Sequence, residues 1–315
     1  MNGSGSAAGF GLMSAASWGG SDFIGGVGAR RAPAMLVVVS GHIFSFFVLL
    51  AVCRAMHLAL PGHAALFYSA LGGFEGALAL AIFYRALAMG AMGLTAALTG
   101  LLTALVPVLF SLFREGLPTP LTIAGLLMGL AAIWLITHTP TARTSDSNQA
   151  STPAAAEHRV PHSFRALGEM SGNRPTSTSS VPTTALLLGA LAGLGFGTQL
   201  ILFKMAGTGG ILWIMTSARA AGVAAMLIVL AVAPPKVPWS GFWLTGIVAG
   251  TLDTIGNLFY IQASRVGRLD VAALVCSMYP AGTILLAALV LREWPTRRQL
   301  TGMALALAAV ALLSV

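Results

Sequence analysis

The chain has 315 residues, of which 57% are hydrophobic and 8% charged, with nine acidic side chains in all. That balance excludes an ordinary soluble globular domain. The net charge of +8 contains no cluster of four or more Lys or Arg, so it argues for scattered cations near anionic lipid and against a nucleic-acid surface. Cys53 and Cys276 both lie in apolar runs, which suits packing and not a disulfide or metal framework.

Apolar windows long enough to cross a bilayer, about 20 residues each, recur in chain order. The spacing predicts helices near 7–27, 34–56, 64–84, 91–113 and 119–137, then 184–204, 210–232, 241–262, 269–291 and 298–315. A barrel is not expected, because the runs are apolar all round and rich in Gly and Ala instead of alternating. The first Lys or Arg is Arg30, so the opening run lacks the basic region of a cleavable signal and is expected to stay as helix one. Residues 139–183, which include "TSTSSVPTT", cannot bury a core and read as a disordered linker. As a flexible coil it spans roughly 35–40 Å. The expected organisation is therefore five helices in 1–138, a linker over 139–183 and five helices in 184–315.

The two sides of the linker resemble each other. Arg114-Glu115-Gly116-Leu117-Pro118-Thr119 follows the fourth helix of the first half, and Arg292-Glu293-Trp294-Pro295-Thr296 the fourth of the second. Phe83-Tyr84 in helix three is answered by Phe259-Tyr260 in helix eight, and "WGGSD" from Trp18 by "FGTQ" from Phe196. This pattern is a five-helix unit present twice. An odd number of spans makes the second copy enter from the opposite side, so the expected fold is all-α, integral to the membrane, with ten transmembrane helices as two inverted repeats. Inverted repeats favour a secondary transporter working by alternating access.

Together "WGGSDF" in helix one, Arg219 early in helix seven, the turn from Tyr260 to Gly267 and "MYPAGTILLAALVLREW" from Met278 resemble the EamA-type transporters of the drug/metabolite transporter superfamily. The resemblance covers both halves and excludes the linker. It implies ten helices in the bacterial inner membrane, cytoplasmic termini, and secondary carriage, often export, of small metabolites such as amino acids. One departure stands out: Pro280 lies thirteen residues before Glu293, whereas Leu102 occupies that place before Glu115, with Pro107 further along.

Charges near the bilayer centre cost about 2.5–3.5 kcal/mol and therefore mark cavities or partners. Glu75 sits in "GGFEGALAL" beside small residues, and Asp253, 178 positions later, is its expected symmetry mate. Asp253, Asn257 and Tyr260 share one helix face and form the expected cavity wall. Asp22, the one charge of helix one, is expected to meet Arg219. Trp18, Phe196, Gln199 and His42 are further candidates for the lining, although aromatic lining and plain packing stay equally open for Trp18 and Phe196, and His42 reads better as a core histidine. Lys204 is expected to snorkel to the headgroups. Gly189, Gly193 and Gly197 form a small-residue face for close helix packing.

No HExxH, GxSxG or Walker A sequence occurs, and Gly-Thr-Leu-Asp at 250–253 lacks the glycine that precedes the aspartate in intramembrane aspartyl proteases. No catalytic residue, cofactor or metal is expected. The expected partners are a small-molecule substrate, the lipid bilayer and, as a coupling ion, protons, with no nucleic acid. In the transporter reading Arg219 attracts an anionic group while Glu75 or Asp253 holds a substrate amine or a proton. An uncoupled facilitator and an intramembrane enzyme stay open as alternatives, as do the cargo, its direction and the oligomeric state. Counting loop cations favours extracytoplasmic termini, the opposite of what the resemblance implies.

Overall fold

The computed structural model describes residues 3–89, 92–137, 183–207, 209–235, 243–291 and 296–313. Among them are helices and no strand: α1 (Gly3–Ala29), α2 (Ala34–Ala55), α3 (His63–Ala88), α4 (Met92–Arg114), α5 (Pro120–Thr137), α6 (Thr183–Met205), α7 (Ile211–Val232), α8 (Trp243–Val266), α9 (Leu269–Cys276), α10 (Tyr279–Leu291) and α11 (Arg297–Leu313). All of the predicted linker except Thr183, and the second Arg-Glu turn at 292–295, lie outside the described residues.

Among the described residues, six segments are long and apolar enough to cross a membrane: α2, α3, α6, α7, α8 and Leu269–Leu286; shorter apolar stretches fall in α4, α5 and α11. The long helix α1 is not among the six, because more than half of its residues are Gly or Ser. It trades hydropathy for close approach to its neighbours. The outer surface is apolar, with Phe47, Phe67, Phe113, Leu187, Val232 and Leu289 all exposed, as a lipid-facing surface requires.

The predicted helix over 269–291 is interrupted. Proline at 280 has no N–H to give to the carbonyl of Cys276, and α9 ends at Cys276 before α10 begins at Tyr279. In the first half α4 runs unbroken through Pro107. Moving the proline along the helix leaves its continuity intact, and the two halves differ here.

Small residues set the packing. The helix pairs in contact include α3 with α6 and α7, α8 with α1 and α2, α4 with α6, α1 with α9 and α10, α2 with α7, and α5 with α11. A Cβ on Gly41 would lie 2.5 Å from the carbonyl oxygen of Gly246 and 2.7 Å from the Cα of Gly250, so α2 and α8 touch backbone to backbone. Gly73 abuts the backbone of Ala218 in the same way. The predicted face of Gly189, Gly193 and Gly197 packs on Thr95, Thr99, Leu102 and Val106 of α4, and the Thr99 hydroxyl donates to the carbonyl of Gly189 at 2.8 Å.

One end of the bundle is tied by polar contacts between connections. Trp213 Nε1 donates to the carbonyl of Leu58 at 2.9 Å. Arg265 donates to the carbonyls of Gly207 and Gly209, and Arg268 to that of Gly116. Glu115 Oε2 accepts from the backbone N–H of Leu269 at 3.2 Å and so caps α9, which has no side-chain cap of its own. Lys204 does not snorkel: its ammonium donates to the carbonyls of Ser264 and Gly267 at the end of α8 and lies 3.6 Å from Glu115.

A methyl group at Gly250 has no room against α2, whereas nothing lies within 4 Å of one at Gly9. Gly250→Ala is expected to destabilise the purified protein by about 1–3 kcal/mol. Gly9→Ala is expected to be neutral or stabilising by up to about 1 kcal/mol. Thermal unfolding of the two variants in detergent checks the contrast.

Candidate functional site

Three helices deliver a polar cluster to the interior. Arg219 of α7 is 3% exposed and points its guanidinium at α8 and α2. The close approach rests on small neighbours: Ala218 lies against Gly73, and Gly222 leaves room for the His42 ring. Arg219 Nη2 donates to Asp253 Oδ2 at 2.6 Å, and Nη1 bonds His42 Nε2 at 2.9 Å. A guanidinium can only donate, so His42 Nε2 accepts; the other ring nitrogen lies 3.0 Å from the carbonyl of Val38, which can only accept. The two bonds together fix His42 as a neutral imidazole protonated on Nδ1. Asn257, one turn along α8, donates through Nδ2 to Asp253 Oδ1 at 3.1 Å and to the Asp253 carbonyl at 2.8 Å. Arg219 Nε and Asn257 Oδ1 are buried without a hydrogen bond.

Beside this cluster lies a narrow cavity lined by Trp18 and Asp22 (α1), Leu80 (α3), Thr103 (α4), Phe196, Gln199 and Leu200 (α6), Asp253 and Asn257 (α8) and Tyr279 (α10). A second, smaller void shares Leu80, Phe196, Gln199 and Asp253 with it and reaches His42 and Arg219. Aromatic rings frame the first cavity. Trp18 meets Tyr279 edge-on at 6.4 Å and stacks on Tyr260 at 6.1 Å, while Phe83 bridges Tyr279 and Phe196 at 6.4 and 5.8 Å. Asp22 is 7% exposed and has neither a hydrogen bond nor an ion pair among the described residues. Its neighbour Ser21 is fixed by donating to the carbonyl of Ala249 at 2.9 Å.

Several sequence expectations are redistributed. Arg219 pairs with Asp253, which lies one α7–α8 contact away, and not with Asp22. His42 does have a polar partner, brought by a distant helix. The stripe of Asp253, Asn257 and Tyr260 divides: the first two line the cavity, but Tyr260 is fully buried and donates to the carbonyl of Leu200 at 2.7 Å. Its hydroxyl finds a backbone acceptor on α6, so it serves helix packing. Trp18, Phe196 and Gln199 line the cavity. Glu75 lies outside both voids, half-buried on the seam of α3 with α6, where it faces Thr198. Thr103, Leu80, Leu200 and Tyr279 complete the lining without having stood out in the sequence. Only Tyr279 had a signal, its place in "MYPAGT" at the helix break.

Residues 183–315 match the model of the EamA-like transporter family. A crystal structure of a protein that is 17% identical to this chain superposes with a TM-score of 0.68, covering 98% of this chain and 96% of that one. That likeness shows a shared fold extending across the whole length. No curated protein matches the chain.

Because Arg219 and Asp253 neutralise each other away from water, breaking the pair strands a buried charge. Arg219→Leu and Asp253→Leu are each expected to cost about 3–5 kcal/mol of stability. The double variant is expected to lose less than either single change. Thermal or denaturant unfolding in detergent, arranged as a double-mutant cycle, measures the difference.

Proposed function

We propose, from the premise that residues 183–315 are an EamA-like transporter domain within an integral membrane protein, that the whole chain is a secondary carrier of a small polar metabolite working by alternating access. In this reading 1–138 and 184–315 are two inverted five-helix repeats, α9 and α10 together being one span, joined by the linker over 139–183. The observation that carries the proposal is the cavity. Its walls come from both halves, with Trp18, Asp22, Leu80 and Thr103 on one side and Phe196, Gln199, Leu200, Asp253, Asn257 and Tyr279 on the other. A site on the seam between two mobile units is what alternating access requires.

The exchange symmetry of the packing supports the repeat. Swapping α1–α5 for α6–α11, with α9 and α10 taken together, turns α3 on α6 and α7 into α8 on α1 and α2, and α4 on α6 into α9 and α10 on α1. The contact of Gly73 with Ala218 becomes that of Gly250 with Gly41, an offset of 177 residues in both helices. At that offset Glu75 falls on Leu252 and Asp253 on Gly76, so the two acids are not symmetry mates. They stand one residue apart, about 100° around a helix.

Substrate recognition falls to Asp22, Asn257 and Gln199, and the role expected of Arg219 toward an anionic group changes. With its terminal nitrogens on Asp253 and His42, it organises the wall. Asp253, held by a guanidinium, is equally unsuited to the shared-proton carboxylate pair of an aspartyl protease. The family likeness supports the bacterial inner membrane, export as the direction, cytoplasmic termini and a cargo that is an amino acid or a similar polar compound, and this reading takes protons as the coupling ion.

Reconstitution into liposomes with a metabolite panel, with and without a pH gradient, tests the reading. Asp253→Asn is expected to reduce flux roughly tenfold or more, since a lost charge partner is worth at least ~1.4 kcal/mol. Glu75→Gln, off the cavity, is expected to leave flux near wild type. Unchanged flux in Asp253→Asn would falsify the assigned site. Cysteines placed in 139–183 are expected to react with an impermeant thiol reagent on intact cells; reaction only after permeabilisation reverses the topology.

A further inference from the structure

Resting on the carrier reading above, we infer that the cavity is built for a small protonated amine with an apolar body and no carboxylate group. The charge count comes first. Two carboxylates, Asp22 and Asp253, border the cavity; the guanidinium of Arg219 answers Asp253, and His42 is held neutral by its two bonds. One carboxylate, Asp22, is left over, 7% exposed and without a bonding partner among the described residues. An ammonium group gives Asp22 an ionised partner across the cavity, whereas a substrate carboxylate would meet only another acid.

Hydrogen-bonding capacity points the same way. Asn257 is 2% exposed, lines the cavity, and its Oδ1 is a buried acceptor without a donor. Asp22 and Asn257 therefore offer acceptors to N–H groups. Strong donors are engaged elsewhere: both terminal nitrogens of Arg219 are taken by Asp253 and His42, and the Thr103 hydroxyl donates to the carbonyl of Thr99 at 2.8 Å, which leaves only the neutral donors of Gln199, Tyr279 and Trp18 in the lining. A carboxylate group entering here gives up its hydration and finds no free cation in the lining to replace it. The walls suit the rest of an amine: Trp18, Phe196 and Tyr279 present rings whose faces attract a cation, and Leu80 and Leu200 receive an apolar body. The site thus separates an amine from the amino acid that carries the same side chain.

The test uses purified full-length protein and radiolabelled phenethylamine, with phenylalanine and 3-phenylpropionate as competitors that add or substitute a carboxylate. Saturable phenethylamine binding is expected, with both competitors weaker by roughly tenfold or more. Asp22→Asn is expected to lose binding by a similar factor and Asp22→Glu to restore part of it. Should Asp22→Asn fail to fold, judged by gel filtration, the wild-type ranking decides. No saturable binding of phenethylamine, a competitor binding as tightly as the amine, or unchanged binding in a folded Asp22→Asn overturns the inference. The same compounds in liposomes separate it from the carrier reading. Phenethylamine that binds but does not cross defeats the carrier and leaves the amine site standing; another metabolite that crosses while phenethylamine does not bind does the reverse.

Discussion

Taking a guanidinium, a carboxylate and an imidazole out of water costs several kcal/mol per ion, and in the middle of an apolar helix bundle no solvent is available to refund it. The contacts of Arg219 with Asp253 and His42 are therefore the constraint around which the neighbouring helices are arranged. Three helices have to approach to within a side chain's length at one depth. Gly41, Gly73, Gly222 and Gly250 are where a methyl group would prevent it, since each faces backbone or the His42 ring directly. Small residues in this chain are less a sign of weak packing than the condition for burying charge.

The same constraint shapes the cavity. Asp253 is held on one side by Arg219 and on the other by Asn257 through Oδ1, so the wall it presents is fixed before any ligand arrives. The aromatic frame is likewise braced: Phe83, fully buried, touches both Phe196 and Tyr279. Preorganisation of this kind lowers the ordering cost of binding. At one end of the bundle, Lys204, Arg265 and Arg268 donate to helix-end and loop carbonyls, which ties three separate connections together, and Arg268 also pairs with the fully buried carboxylate of Asp270.

Helix positions were legible in the sequence because apolar length is a one-dimensional property, and α2, α7 and the others fall within a few residues of where hydropathy places them. The break before Pro280 was foreshadowed by the proline itself, but whether a proline breaks a helix depends on its neighbours, as the unbroken α4 with Pro107 illustrates. Which polar residues would be buried among the helices was also legible, since Asp22, Arg219, Asp253 and Asn257 are conspicuous in apolar runs. Who pairs with whom was not. A single residue of register turns a side chain by about 100°, which is enough to move Glu75 to the α3–α6 seam and to send the Tyr260 hydroxyl to a backbone carbonyl. His42 looked partnerless because its partner lies 177 residues away.

The offset that exchanges Gly73 with Gly250 also carries Asp22 onto Gln199, and both line the cavity. One half thus contributes a carboxylate where the other contributes an uncharged amide. Two conformations generated by interchanging the halves would be alike in shape, yet the electric field inside the cavity would not be interchanged with them. For the carrier proposed above, the consequence is a built-in polarity: with no substrate bound the two conformations differ in energy, so the machine idles facing one preferred compartment.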